Sequence, residues 1–493
     1  MQVEAWLQRA ACSAPTLTAL HTPDARLSYA ELWDSARAGA CELSERGARP
    51  GERVAIALAP GIAFAQALHA CMLLGAPAVP VDLRLTPAER ERIVAGARVL
   101  VEEPLCAGPH DRNKQQGAGP LDTSRLSGSS AQAADSDRSG SFGSTASAAA
   151  FHDLDAVCAV IHTSGTTSTP RPVELTYGNF LWSALGSGVA LGVDPAERWL
   201  CALPLSHVGG LSILVRSAIY ATTAHVHERF DTDRVLAALR EDRITLVSLV
   251  STTLARLLDA GLRDPPHLRC ALTGGGPVPA VLTQRARAAG VPVVETYGLT
   301  ECCSQAATAP LAVAPAMAGR PGLETPPTAT ADAGAPYDIG AGVPLFCTRT
   351  EIVEDGEILL SGPTVARSAT APDGRLHTGD LGSIDAGGFL HVSGRKADTI
   401  VSGGENIAPS EVEAVLEAHP EVLEAAVVGR EDPRWGEAVT AIVVPVPGAS
   451  VGESVLREHC SARLAPFKVP KRVHFISTPL PRTRSGKLLR RDL

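Results

Sequence analysis

The N-terminal part of the chain alternates between two hydrophobic periods, and this alternation constrains the fold more than any other feature. Apolar residues that recur every three or four positions predict helices, whereas short continuous apolar runs predict buried strands. The predicted helices cover residues 27–45, 62–74 and 87–95, and the predicted strands cover residues 53–58, 78–81 and 98–101. Strands that alternate with helices are typical of a parallel sheet with crossover helices. We therefore expect an α/β fold.

Two changes in composition divide the chain. Residues 107–150 are rich in Gly, Ser, Ala and Asp and have almost no large apolar residues, so we interpret them as a flexible surface insert. Past Gly394 the pattern becomes compact, and it predicts a small α+β unit of about a hundred residues. We therefore predict a large N-terminal domain of parallel-type sheets over residues 1–395 and a small, mobile C-terminal domain over residues 396–493.

Charge and cysteine usage exclude several classes of function. The net charge of −9 argues against a nucleic-acid partner, which would need a basic face. No stretch approaches the roughly 18 uninterrupted apolar residues of a membrane span, and the N-terminus lacks the pattern of a signal peptide. The 11 cysteines show no CxxC spacing, so a reducing cytoplasm is the expected setting. Whether the chain forms a homo-oligomer stays open.

A loop rich in hydroxyls follows the apolar run at residues 156–162. It contains the candidate phosphate-binding residues Thr163, Ser164, Gly165, Thr166, Thr167 and Arg171. Backbone N–H groups, hydroxyls and an arginine can all contact phosphate oxygens. The Walker pattern GxxxxGK[ST] is absent from the sequence, and such a loop by itself is more often an ordinary turn. The loop is therefore evidence for a phosphate-binding site only in combination with other motifs.

Further polar motifs follow other apolar runs. Their chemistry-bearing residues are Gly274, Gly275, Gly276, Tyr297, Thr300, Glu301, Asp380, Arg395 and Lys487. Each also has an ordinary structural interpretation, with Tyr297 as a core aromatic, Asp380 as a turn cap and Lys487 as a tail charge. Because so many such elements occur in one chain in this order, coincidence is a poor explanation.

The motifs together identify a resemblance. TSGTTSTPRP, YGLTE, HTGD, SGRKADTIVSGGENIAPSEVE and PRTRSGK resemble, in order, the signatures of the adenylate-forming superfamily of acyl-CoA synthetases, adenylation domains and luciferases. The resemblance runs from about residue 15 to the C-terminus and leaves out the insert. It implies an ATP- and Mg²⁺-dependent ligase that adenylates a carboxylic acid and passes the acyl group to coenzyme A.

The resemblance also implies roles for individual residues. Residues 163–167 and Arg171 would hold the ATP phosphates, Thr300 the α-phosphate and Glu301 the Mg²⁺ ion. Tyr297 and Gly274–Gly276 would flank adenine, and Asp380 would accept the ribose hydroxyls with Arg395 nearby. Lys487 would bridge the acyl carboxylate and the α-phosphate. After rotation of the small domain, Ser402, Gly403 and Gly404 would line the pantetheine tunnel.

The sequence departs from the superfamily pattern at four positions. Ser168, Arg171 and Pro172 stand where Gly, Lys and Gly are usual, and Pro172 is expected to stiffen the phosphate loop. Ala397 stands at the hinge position, where Asp or Lys is common. None of these changes removes a group with a catalytic role.

The run LPLSHV at residues 203–208 bears on the choice of acid. It has no Asp to pair an amino-acid ammonium, so an aryl or acyl acid is favoured, with His207 as a catalytic and substrate-binding candidate. The wider run LPLSHVGGLSILVRSAIYA, with TYGLTECCSQ, is similar to the ligases that activate o-succinylbenzoate in menaquinone biosynthesis. That acid carries a second carboxylate, for which Arg216, Ser304 and Gln305 are the candidate partners.

Several alternatives remain at this level. Arg216 could be an ordinary surface arginine. The acid could instead be benzoate-like or a medium-chain fatty acid. The chain could also be a free-standing adenylation module that loads a carrier protein, or a binding homologue without catalysis. Intact Lys487, Glu301 and Asp380 argue against the last of these.

Overall fold

The computed structural model describes residues 1–106, 151–163, 171–311, 340–402, 405–483 and 488–493. Its α-helices within those ranges are α1 (Trp6–Ser13), α2 (Tyr29–Glu45), α3 (Ile62–Leu74), α4 (Pro87–Val94), α5 (Tyr177–Leu191), α6 (Val208–Tyr220), α7 (Thr232–Glu241), α8 (Ser251–Asp259), α9 (Ala280–Ala288), α10 (Pro409–Glu417) and α11 (Glu453–Ser461).

The strands of the N-terminal two-thirds are β1 (Gln2–Glu4), β2 (Thr18–His21), β3 (Arg26–Ser28), β4 (Val54–Ile56), β5 (Ala78–Pro80), β6 (Val99–Val101), β7 (Phe151–Asp153), β8 (Val157–Thr163), β9 (Arg171–Thr176), β10 (Arg198–Cys201), β11 (Thr223–Val226), β12 (Leu246–Leu249), β13 (Cys270–Thr273), β14 (Val293–Tyr297), β15 (Ala307–Thr308) and β16 (Val343–Pro344). The remaining strands are β17 (Arg349–Ile352), β18 (Glu357–Ser361), β19 (Leu376–Ile384), β20 (Leu390–Arg395), β21 (Ile400–Ser402), β22 (Glu405–Ile407), β23 (Val422–Asp432), β24 (Gly436–Pro445) and β25 (Arg472–Phe475).

The first predicted strands form one sheet in the order β6-β4-β5-β8-β9, parallel except for the edge strand β9. Helix α3 has the bounds expected from the sequence, because an apolar run ends at Gly75, which caps it with φ of 70°. One expectation is wrong. Pro172 lies in β9, opposite His162 of β8, and not in the phosphate loop. An edge strand tolerates the missing N–H of proline.

A second, larger sheet runs in the order β16-β15-β14-β13-β12-β10-β11-β2-β3 through the described residues. Its strands from β14 to β2 are parallel, and the edges are antiparallel. The main apolar core contains buried residues of both sheets, such as Ile56 and Cys201, and buried residues of helices α3 and α6. Since parallel strands end at the same sheet edge, the segments after β13 and β14 become neighbours.

An antiparallel sheet of strands β17 to β20 follows, and it was not among the elements predicted from the sequence. The last sheet has the order β22-β21-β24-β23, with β25 beside β24, and it packs with α10 and α11 around a separate core. The large α/β part and the small C-terminal α+β part confirm the expected fold class. Among the described residues, the structure has no helix with the length and apolar character needed to cross a membrane.

Candidate active site

Three of the predicted residues meet at one carboxylate. The Tyr297 hydroxyl donates a hydrogen bond of 2.7 Å to Asp380 Oδ2, and Arg395 Nε lies 2.6 Å from Asp380 Oδ1. Antiparallel pairing of β19 and β20 sets Arg395 directly opposite Asp380. Burial and the neighbouring Asp380 carboxylate raise the pKa of Tyr297 above its ordinary value of 10, so the phenol stays a donor. A carboxylate offers acceptors for several donors, so the Tyr297 and Arg395 contacts together fix the orientation of Asp380.

The glycine segment adjoins Tyr297. A Cβ on Gly274 would lie 2.5 Å from the Thr296 carbonyl oxygen, so only glycine fits this close approach. Gly275 has φ of 80°, and nothing lies within 4 Å of a Cβ on Gly276. Gly275 and Gly276 are exposed and therefore offer accessible backbone beside the tyrosine, as a flat nucleobase would require.

Thr300 and Glu301 lie in a 3-10 turn, Thr300–Cys302, which is separated from the end of β14 by two residues. The turn is anchored because the Ala366 N–H donates to the Glu301 carbonyl oxygen at 2.8 Å. Both side chains are half-buried, and among the described residues no ion pair engages the Glu301 carboxylate. Mg²⁺ is commonly held by one or two carboxylates together with substrate phosphates, so Glu301 fits the ion that the superfamily uses.

The base of the phosphate loop is formed by the ends of two strands. Thr163 and Arg171 are directly opposite each other in the β8–β9 pair, and the Thr163 hydroxyl contacts the Arg171 carbonyl oxygen at 3.4 Å. Arg171 is exposed. The candidates Ser164, Gly165, Thr166 and Thr167 lie outside the described residues, as do Ser168, Gly403, Gly404 and Lys487.

Arg216 is not a surface residue. It lies on α6 and is only 2 % exposed, and burial lowers the pKa of its guanidinium. Its Nη2 contacts Ser183 Oγ at 3.3 Å, whereas Nε has no hydrogen-bond partner among the described residues. Within those residues, no carboxylate pairs with it. A buried guanidinium without an anion is costly, so the site is suited to an anionic ligand.

The other substrate-binding candidates have different surroundings. Ser183 Oγ donates to the Cys303 carbonyl oxygen at 2.6 Å, which links Arg216 to the segment that continues into Ser304. Gln305 is buried, and its amide nitrogen donates to Thr308 Oγ1 at 2.8 Å, while its Oε1 has no partner among the described residues. His207 precedes α6 as its N-cap and lies nine residues before Arg216, a rise of roughly 13 Å along the helix, so the two side chains do not act on the same atoms.

The proposed hinge lies in a short 3-10 turn, Lys396–Asp398, that contains Ala397. Lys396 Nζ lies 2.7 Å from Asp355 Oδ2 and 3.1 Å from Glu357 Oε2, both in the antiparallel sheet region. Ser402 is buried at the end of β21, and its Oγ has no partner in the part of the chain that is described. Lys396, the first residue of the predicted small domain, is therefore paired with the antiparallel sheet region one residue before the predicted hinge.

Sequence reasoning missed the residues that support Arg216. Trp199, on β10, stacks under the guanidinium with 5.1 Å between Arg216 Cζ and the ring centroid. Ser183 lies on α5, 33 residues from Arg216 in the chain. Neither residue belongs to a motif, and the only signal in the sequence is that a polar group interrupts an apolar helix at Ser183.

The chain is similar in sequence to known proteins. Residues 7–368 match the AMP-binding enzyme family, and residues 411–487 match the AMP-binding enzyme C-terminal domain. The 2-succinylbenzoate–CoA ligase of Bacillus subtilis is 36% identical over 508 residues, covering 99% of this chain and 97% of the relative. The ligase of the same name from Geobacillus kaustophilus is also 36% identical, over 510 residues, with 99% and 96% coverage.

Solved structures with a similar fold over the whole chain have also been found. The o-succinylbenzoate CoA synthetase (MenE) of Bacillus subtilis in complex with the acyl-adenylate intermediate OSB-AMP has a TM-score of 0.80 and 34% identity, covering 100% of this chain and 98% of that one. The same enzyme with ATP and magnesium ion has a TM-score of 0.80, 33% identity and 100% coverage of both chains. ATP-bound MatB of Rhodopseudomonas palustris has a TM-score of 0.79 and 25% identity, covering 99% and 97%. This chain belongs to the AMP-binding enzyme family.

Proposed function

We propose that this protein is an ATP-dependent, AMP-forming o-succinylbenzoate–CoA ligase of menaquinone biosynthesis, acting in the cytoplasm. In the first step the carboxylate of the succinyl chain attacks the α-phosphorus of ATP, and pyrophosphate leaves with the bridging oxygen. In the second step the thiol of coenzyme A attacks the acyl carbonyl, and AMP leaves. Full-length similarity to ligases of this name supports the proposal.

The observation that carries the choice of acid is the burial of Arg216 with no carboxylate partner among the residues that the structure describes. A monocarboxylate would use its single acid in the reaction and leave the guanidinium unpaired, at the cost of a buried charge. A dicarboxylate supplies one acid for adenylation and a second for Arg216. Ser183 links Arg216 to the Cys303 carbonyl, next to the turn that carries Thr300 and Glu301. The carboxylate that is adenylated and the carboxylate that pairs with Arg216 would therefore lie at opposite ends of one substrate.

Different residues are assigned to different parts of the ATP molecule. We assign Tyr297 and the Gly274–Gly276 segment to the adenine, and Asp380, held by Arg395, to the ribose. Glu301 would hold Mg²⁺, which supplies charge neutralisation of the phosphates when bound. Thr300, with Thr163 and Arg171 at the loop base, would contact phosphate oxygens. Fixed donors stabilise developing charge best because they need no reorganisation during the reaction.

We further propose that residues 1–395 and 396–493 are separate bodies that rotate about Ala397 between the two steps. The separate apolar core of the C-terminal part supports this division. Lys487 would serve the first step, and residues 402–404 the second. His207, at the N-terminus of α6, would contact the acyl group near the reacting carbonyl.

The test is a panel of acids assayed by ATP–pyrophosphate exchange and by formation of the CoA thioester. The panel contains o-succinylbenzoate, the analogue 4-oxo-4-phenylbutanoate that lacks the ring carboxylate, benzoate and octanoate. We expect o-succinylbenzoate to have the highest kcat/KM by a factor of about 100, the scale of one buried ion pair. A preference for benzoate or octanoate would instead establish one of the alternative acyl-CoA ligases. A carrier protein accepted in place of free coenzyme A would establish an adenylation module.

A further inference from the structure

The guanidinium of Arg216 is held between an aromatic face and a hydroxyl. Trp199 lies 5.1 Å from Arg216 Cζ, measured to the ring centroid, and Ser183 Oγ lies 3.3 Å from Nη2. All three side chains are nearly inaccessible, with exposures of 2 %, 4 % and 1 % for Arg216, Trp199 and Ser183. A cation over an indole face is attracted by the ring quadrupole, and more strongly when water is excluded.

Both supports are themselves fixed. Trp199 Nε1 donates to Ser248 Oγ at 2.9 Å, and β10 and β12, which carry these residues, are adjacent parallel strands. Ser183 Oγ donates its proton to the Cys303 carbonyl oxygen at 2.6 Å. The serine oxygen is thereby left as an acceptor, which is the role that a guanidinium N–H requires. The guanidinium of Arg216 therefore donates to Ser183, and Ser183 donates to Cys303, so each of these two donors has an acceptor.

We propose that Trp199 and Ser183 are positioning residues that set the selectivity for the acid by orienting Arg216 before the substrate arrives. This inference rests on the proposed function, since it assigns Arg216 to the second carboxylate. An arginine side chain loses considerable rotamer freedom when it binds a carboxylate, and a guanidinium that is already held in the binding orientation loses less. Ser183 also ties the arginine to Cys303, two residues after Glu301, so the second-carboxylate site and the metal turn keep a fixed separation.

The experiment uses four variants of the full chain: Trp199→Leu, Trp199→Phe, Ser183→Ala and the control Ser187→Ala. Ser187 lies one turn further along α5 and is equally buried at 1 %, but Ser183 is the hydroxyl that Arg216 contacts. The measured quantity is the ratio of kcat/KM for o-succinylbenzoate to that for 4-oxo-4-phenylbutanoate, with the melting temperature and the KM for ATP measured alongside. A merely structural role would lower both kcat/KM values together and leave their ratio unchanged.

We expect Trp199→Leu and Ser183→Ala to lower the ratio by about tenfold, the effect of losing one desolvated contact to a charge. Trp199→Phe keeps an aromatic face and should lower it less than Trp199→Leu, and Ser187→Ala should leave it unchanged. Equal losses on both acids in Trp199→Leu and Ser183→Ala would overturn the inference. So would an equal fall of the ratio in the Ser187→Ala control.

The Arg216→Ala variant separates this inference from the proposed function. If Arg216→Ala abolishes the preference for the dicarboxylate but the Trp199 and Ser183 variants keep it, the positioning role is wrong and the substrate assignment stands. If the wild-type protein has no such preference, the substrate assignment itself is wrong, and the positioning role is refuted with it.

Discussion

The Tyr297 hydroxyl donates a hydrogen bond of 2.7 Å to Asp380 Oδ2, across 83 residues of chain. The contact joins the end of a parallel strand in the largest sheet to an antiparallel sheet further along the chain. Arg395 holds the other oxygen of the same carboxylate at 2.6 Å. The orientation of Asp380 is therefore set by two donors before any nucleotide binds.

The first prediction concerns this carboxylate. Asp380→Asn replaces an ionised acceptor by an amide, which should raise the KM for ATP by roughly 10- to 100-fold, the scale of a hydrogen bond to a charged group. Tyr297→Phe keeps the ring but removes the donor, so the loss should be about fivefold. ATP–pyrophosphate exchange at varied ATP measures both. A larger loss in Tyr297→Phe than in Asp380→Asn would contradict the assignment of Asp380 to the ribose.

Lys487 is predicted to act only in the first half-reaction. Lys487→Ala should slow adenylation by a factor on the order of 10² or more, because a donor to developing charge is lost. Formation of the thioester from supplied acyl-adenylate should suffer much less. The control is Lys468→Ala, which removes a lysine paired with Glu411 at 2.6 Å on the same part of the chain. Equal losses in the two half-reactions would refute the rotation of the small domain.

Arg216→Ala should act on the dicarboxylate alone. Removing the partner of a buried anion costs at least about 3 kcal/mol, so kcat/KM for o-succinylbenzoate should fall by roughly a hundredfold while ATP binding is retained. Analogues without the ring acid should be poor substrates of the wild type and lose little more. The informative quantity is the double difference between substrate and residue. The same loss on both kinds of acid would make Arg216 structural.

The insert can be tested by deletion. Residues 110–148 have too few apolar side chains to contribute to a core, so joining the ends by a short Gly/Ser linker should leave turnover and melting temperature nearly unchanged. Turnover is measured with saturating acid, ATP and coenzyme A. A sharp drop in either quantity would mean that the insert is part of the folded structure.

Stability should fall in mild acid because of buried histidines. Burial lowers the pKa of His69 to about 4, from 6.5, and burial likewise lowers the pKa of His152 to about 4. Below pH 6.5 the unfolded chain takes up protons that the folded chain does not, so the free energy of unfolding falls as pH drops towards 4. For His69 the loss is about 3 kcal/mol.

Denaturant unfolding at several pH values measures this effect. His69→Leu should flatten the slope between pH 6.5 and 4 by up to one proton, because that side chain no longer titrates. The matched control is Gln66→Leu, which changes a buried side chain of the same helix that does not titrate and should keep the wild-type slope. An unchanged slope in His69→Leu would show that the buried imidazole is not responsible.

The sequence alone was sufficient for the local elements and for the family. Helix α3 could be predicted to the residue, because its signals, an apolar run and Gly75, act between near neighbours. The motifs around Tyr297, Asp380 and Arg395 could be recognised because their order along the chain is specific. The antiparallel sheet of β17 to β20 was missed, since its pairing depends on contacts between segments rather than on a local period.

Only the tertiary structure decided what surrounds Arg216. Its sequence context, an apolar helix with one arginine, is compatible with a surface position as well as with the 2 % exposure found. Burial and the stacking on Trp199 arise from packing between α6, α5 and β10, which are distant in the chain. Side-chain periodicity reports which face of a helix is apolar, but a buried charge is an exception to that pattern. Its position is fixed by long-range contacts, and these exist only once the chain has folded.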